Sequence, residues 1–318
     1  MPDTCLALKA TDTDFGGDAA LKALNMELDR FSLAIQTDGA DAIARLAAFL
    51  DDMWDAATVT HKVSNVSSVV RRHPIMQLLV EDPFTRRSLE KPRGYAGDAV
   101  MLDYIYRPQS DRIRGIGHAV YAGTTNSPTS RSILWRQKYL GNLIARTAVT
   151  NRNARILSVA SGHARELDVT GSLLEGTGVE LTCLDSDAAS LAEVCREPRN
   201  IRVRALNWSV MRLLKARNLE QKFSLIYSAG LCDYLTDKVL LALIRTLYRH
   251  LAPGGVLSFA NFTPYAKGRG YLEFCMDWQL VYRSDEEMMA LTVDAFPESR
   301  PQMFHDSENG VVYIEVGA

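Results

Sequence analysis

The stretch Ile156-Leu-Ser-Val-Ala-Ser-Gly-His-Ala-Arg-Glu-Leu-Asp168 contains the pattern that decides the fold. Its first five residues, Ile156–Ala160, are apolar or small and predict a short buried strand. The small residues up to Ala164 predict a tight turn, and Glu166 and Asp168 are expected in the first turn of a helix. Backbone N–H groups converge where a strand meets a helix N-terminus, so a ligand can lie against bare main chain there. The stretch therefore predicts a cofactor-binding turn.

Length and composition indicate an ordinary globular protein. The chain has 318 residues, of which 47% are hydrophobic and 23% are charged, enough for one large core or two domains. The formal net charge is -2, and no run of Lys or Arg exceeds two residues. We therefore expect neither nucleic acid nor an anionic membrane as a main partner.

The cysteines and histidines show no metal-binding or disulfide pattern. No Cys-x-x-Cys, His-x-x-x-His or Cys/His pairing occurs, so we expect no zinc site, iron–sulfur cluster or secreted disulfide framework. The five scattered cysteines are Cys5, Cys183, Cys195, Cys232 and Cys275. The leader, residues 1–18, lacks a basic-then-apolar run, and no apolar segment approaches the ~20 residues needed to cross a bilayer. A reducing cytosol is the expected location.

The N-terminal half has the apolar periodicity of helices. Apolar residues recur every three or four positions from Leu21 to Ile35 and again from Ile43 to Ala57, which predicts two antiparallel helices. The polar, turn-rich stretch Lys91–Asp98 leads into a further predicted helix, Ala99–Tyr106. We expect an irregular connection over Arg107–Pro128 and another helix over Ser130–Thr147.

From Asn151 onward, strand and helix patterns alternate, which is typical of a parallel sheet with helices on its faces. A helix stop and tight turn are predicted at Leu251–Gly255. Five crossover strands and a closing hairpin are predicted at Ile156–Ala160, Val179–Leu184, Ile201–Leu206, Phe223–Tyr227, Val256–Asn261, Gln302–His305 and Val311–Val316. The predicted fold class is α/β, with a seven-stranded, mostly parallel Rossmann-like sheet in residues 151–318 and an N-terminal helical cap in residues 1–150.

Polar residues follow several of these strands at their carboxyl ends. Asp185, followed by Ser186, ends the second strand, where a doubly wound fold places an acceptor for ribose hydroxyls. Asn207 and Trp208 end the third strand and could offer an amide and an indole ring to an adenine. Ser228 ends the fourth. Two alternatives stay open: Asp185 as a helix cap or solvated charge, and Trp208 as a helix-packing residue.

These features together resemble the class I S-adenosylmethionine-dependent methyltransferases. The first motif of that family usually reads as an acid followed by three alternating glycines, and the corresponding residues here are Ser158, Ala160, Gly162 and Ala164. The resemblance covers residues 151–318 and implies S-adenosylmethionine as the cofactor. It also implies the cofactor-binding residues Ala160, Gly162, Glu166, Asp185, Ser186, Asn207, Trp208 and Ser228.

A narrower resemblance covers roughly residues 90–318. Pro92–Asp98, Tyr227–Leu235 and Asp277–Arg283 are similar to segments of a bacterial subgroup identified with 3-hydroxypalmitic acid methyl ester biosynthesis. This implies a role in secondary metabolism and the carboxylate of a hydroxylated fatty acid as acceptor. Enzymes that cyclise S-adenosylmethionine to azetidine-2-carboxylate share the same broad design, so methyl transfer is one of two chemistries that the resemblance implies.

The acceptor pocket is expected in the insertion after the fifth strand, residues 262–297, because ligands of open α/β sheets bind beyond the carboxyl ends of strands. Phe274, Trp278 and Tyr282 are spaced by four and predict one face of a helix, as a pocket wall or as core packing. Arg283 is a candidate clamp for a carboxylate, or a solvent-facing arginine on that helix.

Further candidates lie in the N-terminal region, which would fold over the cofactor as a lid. Asp98 or Asp233 could bind the α-ammonium group of the cofactor, although Asp98 could instead cap the helix that follows it. His163 is either a base or a partly exposed loop residue. The residues selected for catalysis are Tyr95, Asp98, Tyr104, Asp233, Tyr282 and Arg283.

Three functions are compatible with this pattern. The first is a methyltransferase with a small-molecule acceptor, which yields S-adenosylhomocysteine. The second is an enzyme that uses the aminocarboxypropyl arm of the same cofactor and yields methylthioadenosine. The third is a binding module that keeps the fold without the chemistry. The oligomeric state stays open.

Overall fold

The computed structural model describes residues 15, 17–197, 201–216, 219 and 221–318. Cys5 and most of the leader discussed above lie outside these residues. Within them, every helix is too short or too polar to span a membrane.

In the described part of the chain, the residues before 151 form helices, and strands and helices alternate after that point, as the sequence predicts. The α-helices are α1 Asp18–Asp38, α2 Ala40–Val59, α3 Val63–Arg72, α4 Ile75–Leu79, α5 Pro83–Glu90, α6 Ala99–Tyr106, α7 Gly115–Thr125, α8 Pro128–Thr150, α9 Ala188–Arg196, α10 Val210–Lys215, α11 Asp237–Tyr248, α12 Arg269–Phe274 and α13 Asp285–Ala295. The strands are β1 Arg155–Val159, β2 Glu180–Asp185, β3 Arg202–Asn207, β4 Phe223–Ser228, β5 Leu251–Phe262, β6 Gln302–His305 and β7 Val311–Gly317.

The chain forms two compact units. The first consists of the residues up to Arg131 together with Lys267–Gln279, and the second of Ser132–Ala266 together with Leu280–Ala318. The sequence predicts one boundary near residue 150, whereas in the structure most of α8 belongs to the second unit. The first unit also receives α12 from a distant part of the chain.

The strands of the second unit form one seven-stranded sheet in the order β3-β2-β1-β4-β5-β7-β6. The strands β1 to β5 pair in parallel, and β7 is antiparallel to both of its neighbours. The predicted fold class is confirmed. Strand order reverses between β1 and β4, and ligands in such sheets bind in the crevice beyond the carboxyl ends of strands at the reversal.

Two apolar clusters cover the sheet because neighbouring residues of a strand point to opposite faces. Leu157 and Ile226 belong to one cluster, and Ile156 and Leu225 to the other. A strand buried on both faces reads as a continuous apolar run, which is why the sequence predicted these strands.

The start of β5 differs from the prediction. Leu251 already pairs with Phe223, and the register then shifts before Val256 pairs with Leu225. Gly254 lies within this irregular segment with φ of 72°. The residues predicted as a tight turn are therefore the irregular beginning of the strand.

The first two helices form where their apolar residues recur, as predicted. Leu24 and Leu28 of α1 are buried, as are Leu46 and Leu50 of α2. Gly39 separates the helices with φ of 57°, a left-handed conformation that glycine adopts without steric cost.

The predicted irregular connection over residues 107–128 is wrong, because this region contains α7. Each glycine lowers helix propensity by about 1 kcal/mol, so the glycines of this segment conceal the helix. A Cβ at Gly117 would lie 2.6 Å from the carbonyl oxygen of Glu81, and one at Gly123 would lie 2.6 Å from Cβ of Ile43. The glycines therefore serve close packing.

The short helix α12 is anchored at its N-terminus by a carboxylate from another helix. Asp51 of α2 accepts hydrogen bonds from the backbone N–H groups of Gly268 and Gly270, at 2.7 and 2.8 Å. These N–H groups have no partner within α12, and an acidic group there also complements the helix dipole. Burial raises the pKa of Asp51 above its usual value.

The C-terminus of α12 is capped in the same way. Arg71 of α3 donates to the carbonyl oxygens of Glu273 and Phe274, at 2.7 and 3.2 Å. The chain then reverses: Asp277 has φ of 48°, and Trp278 N–H donates back to the carbonyl oxygen of Leu272.

The single helix predicted to carry Phe274, Trp278 and Tyr282 is therefore wrong. The spacing of four residues arises by chance, since α12 ends at Phe274. Phe274 and Trp278 are buried, in agreement with the packing alternative for these two residues.

The close approach of α12 to α2 gives a test of this packing. A Cβ at Gly270 would lie 2.2 Å from the carbonyl oxygen of Leu50, and neither main chain can yield without breaking hydrogen bonds. We expect Gly270→Ala to lower the free energy of unfolding in urea by about 3 kcal/mol or more. Gly317→Ala is the control, because no atom lies within 4 Å of its added Cβ, and its effect should stay within about 0.5 kcal/mol. Equal stability of the two variants would contradict this packing.

Candidate active site

The turn after β1 lies at the reversal in strand order and has a strained backbone. Ala160, Gly162 and Ala164 have φ of 55°, 51° and 51°, so left-handed residues alternate with others along the turn. For residues other than glycine this conformation costs roughly 1–2 kcal/mol. Strain of this kind is often retained at binding sites, and here it preserves the shape that three glycines would adopt freely.

The carboxylate of Asp185 holds this turn against β2. Its Oδ2 accepts from Gly162 N–H and its Oδ1 from Asp187 N–H, both at 2.8 Å. The Asn207 amide donates to the carbonyl oxygens of Asp185 and Ser186, both at 3.0 Å. Each carboxylate oxygen keeps a second acceptor position. The structure therefore brings the predicted residues of the first three strand ends together.

Ser161, which is not among the predicted site residues, has a buried polar atom at the same place. Its N–H donates to the carbonyl oxygen of Leu184 at 3.1 Å. Its Oγ is buried and has no hydrogen-bond partner among the described residues. An unpaired buried hydroxyl costs about 1–3 kcal/mol, so a polar ligand atom beside it would be stabilising.

The structure supports the packing alternative for Trp208. Its ring packs against the apolar cluster of the sheet, and the guanidinium of Arg212 lies 4.6 Å from the ring centroid. Asn207 is exposed, and its amide oxygen can still accept a hydrogen bond. The end of β3 therefore presents an amide oxygen beside an indole.

Glu166 and Ser228 link the turn to β4 and β1 through hydrogen bonds. The expected α-helix at Glu166 is instead a 3-10 helix, Arg165–Val169. Glu166 is 8% exposed and accepts a hydrogen bond from the Tyr227 hydroxyl, while burial and this carboxylate raise the pKa of Tyr227 well above its usual value. Ser228 Oγ donates to the carbonyl oxygen of Val159 at 3.1 Å. We assign both side chains to positioning rather than to ligand contact.

Asp233 is a buried carboxyl group just beyond β4. Its Oδ1 accepts from Phe262 N–H at 2.6 Å, and its backbone carbonyl oxygen accepts from Val281 N–H at 2.7 Å. Burial raises the pKa of Asp233 to about 6, against the opposing effects of the Phe262 hydrogen bond and the charges of Arg136 and Arg283. Its proton therefore dissociates close to neutral pH.

Arg283 was predicted either to bind a substrate carboxylate or to face solvent on a helix. The structure shows it in neither position. Its side chain is 2% exposed and lies outside any helix. The guanidinium donates to the carbonyl oxygens of Cys232 and Leu235, to Asn261 Oδ1 and to Asp237 Oδ1, at 2.5 to 3.1 Å. These bonds join the segment after β4 to β5. Tyr282, beside it, has a buried hydroxyl.

Two further basic side chains lie near the turn. His163 is 6% exposed, so the expected exposed loop position is wrong, and its Nδ1 lies 3.4 Å from the Arg165 guanidinium. Arg136 of α8 donates to the carbonyl oxygen of Ala229 at 2.6 Å. The helical periodicity of α8 draws attention only to its apolar residues, so Arg136 was not predicted.

Three predicted catalytic residues, Tyr95, Asp98 and Tyr104, belong to the first unit. Asp98 is the N-cap of α6 and accepts from Met101 N–H at 2.8 Å. It is fully buried and also accepts bidentate hydrogen bonds from Arg87, so the capping alternative describes it. Tyr95 is 36% exposed, and burial raises the pKa of Tyr104.

The comparisons with known proteins agree with this fold. No family model and no curated protein matches the chain. A possible exported protein from Bordetella parapertussis has 17% identity and a TM-score of 0.56, over 69% of this chain and 79% of that one. This value indicates a shared fold.

Two methyltransferases give weaker similarity. Magnesium protoporphyrin IX methyltransferase from Synechocystis, with bound S-adenosylhomocysteine, has 11% identity and a TM-score of 0.44, over 69% and 97% of the two chains. The N-methyltransferase NodS from Bradyrhizobium japonicum has 14% identity and a TM-score of 0.38, over 57% and 95%. These scores are too low to support a conclusion about function.

The raised pKa of Asp233 predicts a pH dependence of stability. A carboxyl group that titrates at about 6 when folded and at about 3.9 when unfolded favours the folded state fully below pH 3.9. This contribution is lost as the pH rises through 6, and amounts to about 3 kcal/mol. Asp233→Asn keeps an acceptor for Phe262 N–H and does not titrate.

We therefore expect the unfolding free energy of the wild type to fall by about 2 kcal/mol more than that of Asp233→Asn between pH 4 and pH 7, because the unfolded-state carboxyl is already partly ionised at pH 4. Urea unfolding at several pH values measures the difference, and the contributions of other titrating groups cancel in it. If the unfolding free energies of the wild type and Asp233→Asn changed with pH in parallel, Asp233 would not have a raised pKa, and the prediction would be wrong.

Proposed function

We propose that the chain is an S-adenosylmethionine-dependent methyltransferase that acts on a small-molecule acceptor. The observation that carries this proposal is the strained turn at Ala160–Ala164, with the Asp185 carboxylate and the buried Ser161 hydroxyl beside it. Bare main chain next to a strand-end carboxylate, at the reversal in strand order, is the arrangement that accommodates adenosyl ligands in doubly wound sheets.

The donor and acceptor groups present suit this ligand. The remaining acceptor positions of Asp185 match two ribose hydroxyls, and the free amide oxygen of Asn207 matches the amino group of adenine. The indole of Trp208 can contribute roughly 0.5–1.5 kcal/mol through ring contact beyond its buried area. Asp233 has a pKa of about 6, so it is mostly ionised at pH 7 and can pair with an α-ammonium group.

When bound, S-adenosylmethionine would supply an electrophilic methyl group. The chain has to orient it, exclude water and hold an acceptor atom about 3–3.5 Å away. In this proposal the turn and Asp185 orient the adenosyl part, while Arg283 positions the segment that carries Asp233. A dedicated base is unnecessary if the acceptor is already ionised.

A carboxylate is the acceptor that we favour, because no residue of the site is assigned as a base. Carboxylic acids are ionised at pH 7 and need no proton removed. Of the predicted candidates, Asp98 and Arg283 are engaged in internal hydrogen bonds, so neither is retained as a base or clamp. The carboxylate of a hydroxylated fatty acid, which the narrower resemblance suggests, fits this requirement.

One observation favours a second function, cyclisation of the cofactor to azetidine-2-carboxylate and methylthioadenosine. An amine nucleophile must first lose a proton from its ammonium form. A carboxylate with a raised pKa accepts a proton more readily than an ordinary one, and Asp233 is such a group.

The products of turnover distinguish the two functions. The chain is incubated with S-adenosylmethionine alone and with hydroxylated fatty acids, and adenosyl products are separated by liquid chromatography. We expect S-adenosylhomocysteine only when an acceptor is present. Protein-dependent methylthioadenosine without acceptor would overturn methyl transfer and support cyclisation, and absence of S-adenosylmethionine binding at millimolar concentration would overturn both.

The role of Asp185 can be tested by direct binding. Asp185→Asn removes the negative charge but keeps a carbonyl oxygen that can accept from Gly162 N–H. We expect the Kd for S-adenosylhomocysteine to rise about 10- to 100-fold, because hydrogen bonds to charged groups contribute about 1.5–3 kcal/mol. Calorimetry measures the Kd, and thermal unfolding confirms that the variant is folded.

Asp294→Asn is the matched control for this experiment. Asp294 lies on the surface, where it pairs with Arg245 and is 61% exposed, so its substitution should leave the Kd unchanged. A Kd of Asp185→Asn equal to that of this control would remove Asp185 from the ligand site.

A further inference from the structure

The first unit contains a pocket of its own, with a volume of about 380 Å³. Its floor is apolar and buried, and it includes Ile43, Phe84, Leu272 and Met276. At about 30 Å³ for each group of the size of a water molecule, the pocket can hold roughly 12 non-hydrogen atoms. This volume lies within the range of small-molecule sites.

Small side chains of α2 keep the pocket open on one side. Ala44, Ala47 and Ala48 line it, and Ala44 and Ala48 are exposed. Larger apolar residues at these positions would fill the space and cover the floor. The exposed methyl groups of Ala44 and Ala48 therefore offer a ligand accessible apolar surface above the buried floor residues.

The hydroxyl groups in the pocket are engaged by the protein. Thr124 Oγ1 donates to Asp82 at 3.0 Å, and Thr129 Oγ1 lies 3.0 Å from Ser127 Oγ. These groups are therefore poor candidates for ligand recognition. An apolar ligand body can lie beside them without leaving a polar atom newly unpaired.

The charged groups at the pocket differ in what they already bind. The Asp51 carboxylate holds the two N–H groups of the α12 N-terminus, and Asp41 lies in the first turn of α2, where the helix dipole offsets its charge. Lys267 is exposed at the rim and forms no hydrogen bond or ion pair with the residues that the structure describes, although its charge acts on the Asp51 carboxylate and lowers the pKa of that group against the raising effect of burial. Its ammonium group is the available partner for a ligand.

We propose that this pocket binds a compact amphiphile with one carboxylate group, whose apolar body of roughly ten atoms lies on the floor and whose carboxylate pairs with Lys267. Arg131, also at the pocket, adds a second positive charge on the same unit. For a cationic head group, the carboxylate at the pocket that lacks a hydrogen bond or ion pair within the described residues is Asp41, whose charge the dipole of α2 already offsets. The site does not depend on the cofactor proposal, since all of its residues belong to the first unit.

Calorimetry of the full chain with decanoate, decylamine and decanol tests this site. The ligands have one chain length and differ in their head groups, and S-adenosylmethionine is left out so that the result is independent of the proposed function. We expect decanoate to bind at least about tenfold more tightly than decylamine, with decanol between them. Equal binding of all three would overturn the selection for a carboxylate.

Two substitutions locate the binding. Ala48→Leu should weaken decanoate binding at least about tenfold by filling the pocket, and Lys267→Ala should weaken decanoate but not decanol. Thr58→Leu is the control, because Thr58 is an exposed residue of α2 outside the pocket. Unfolding temperatures within a few degrees of the wild type confirm that the variants are folded.

Three results would overturn the proposal. The first is unchanged decanoate affinity in Ala48→Leu, and the second is equal loss of decanoate and decanol binding in Lys267→Ala. The third is an absence of decanoate binding at millimolar concentration, below the concentration at which decanoate forms micelles. This result would overturn the proposal even if size-exclusion chromatography showed that a second copy of the chain closes the pocket.

Discussion

The buried guanidinium of Arg283 is the interaction on which the carboxyl edge of the sheet depends. It donates to acceptors in the segment after β4, at the end of β5 and at the start of α11. A buried charge without partners would cost several kcal/mol, but the planar fork of arginine satisfies its N–H groups in directions that a lysine could not reproduce. Asp233 directly follows one of the bound carbonyl groups, so this anchor holds the segment that carries Asp233, while burial raises the pKa of Asp233 against the opposing charge of Arg283.

On the other side of the same edge, the turn after β1 has a strained, left-handed backbone that a carboxylate holds in place. Two alanines keep a left-handed backbone in the turn after β1, and Asp185 holds that turn by accepting from Gly162 N–H. The methyl groups narrow the space above the turn, compared with glycines, but the course of the main chain is retained. The two sides together form a rim whose backbone is held by buried hydrogen bonds, and this rim is the basis of the proposed cofactor site.

The sequence predicted what depends on local pattern. The central strands β1, β2 and β4 were found because each is a short, mostly apolar run, whereas β3 was found from its alternation of charged and apolar residues. The strand order places Asp185 and Asn207 at one edge of the sheet. Contacts between distant residues could not be read in this way. Arg283 lies 51 residues from Cys232, to which it donates, and α7 was missed because Gly117 and Gly123 lower helix propensity while serving tertiary packing. Asp98 shows a different limit of sequence-based prediction. A carboxylate in a turn before a helix suits a catalytic role and a helix cap equally well, and only the contact with Arg87 in the structure distinguishes them.

The capping of α12 by Asp51 and Arg71 affects how the protein is made. The first unit receives α12 only after the 135 residues Ser132–Ala266 of the second have been synthesised. At a translation rate of about 5–20 residues per second this is a delay of roughly 7–27 s. During that time, the surface of α2 that α12 covers is open on the nascent chain, and the Asp51 carboxylate has no N–H groups to accept from. The order of synthesis therefore makes the packing of α2 depend on a helix that is made much later, and a nascent-chain chaperone would have most to protect in this interval.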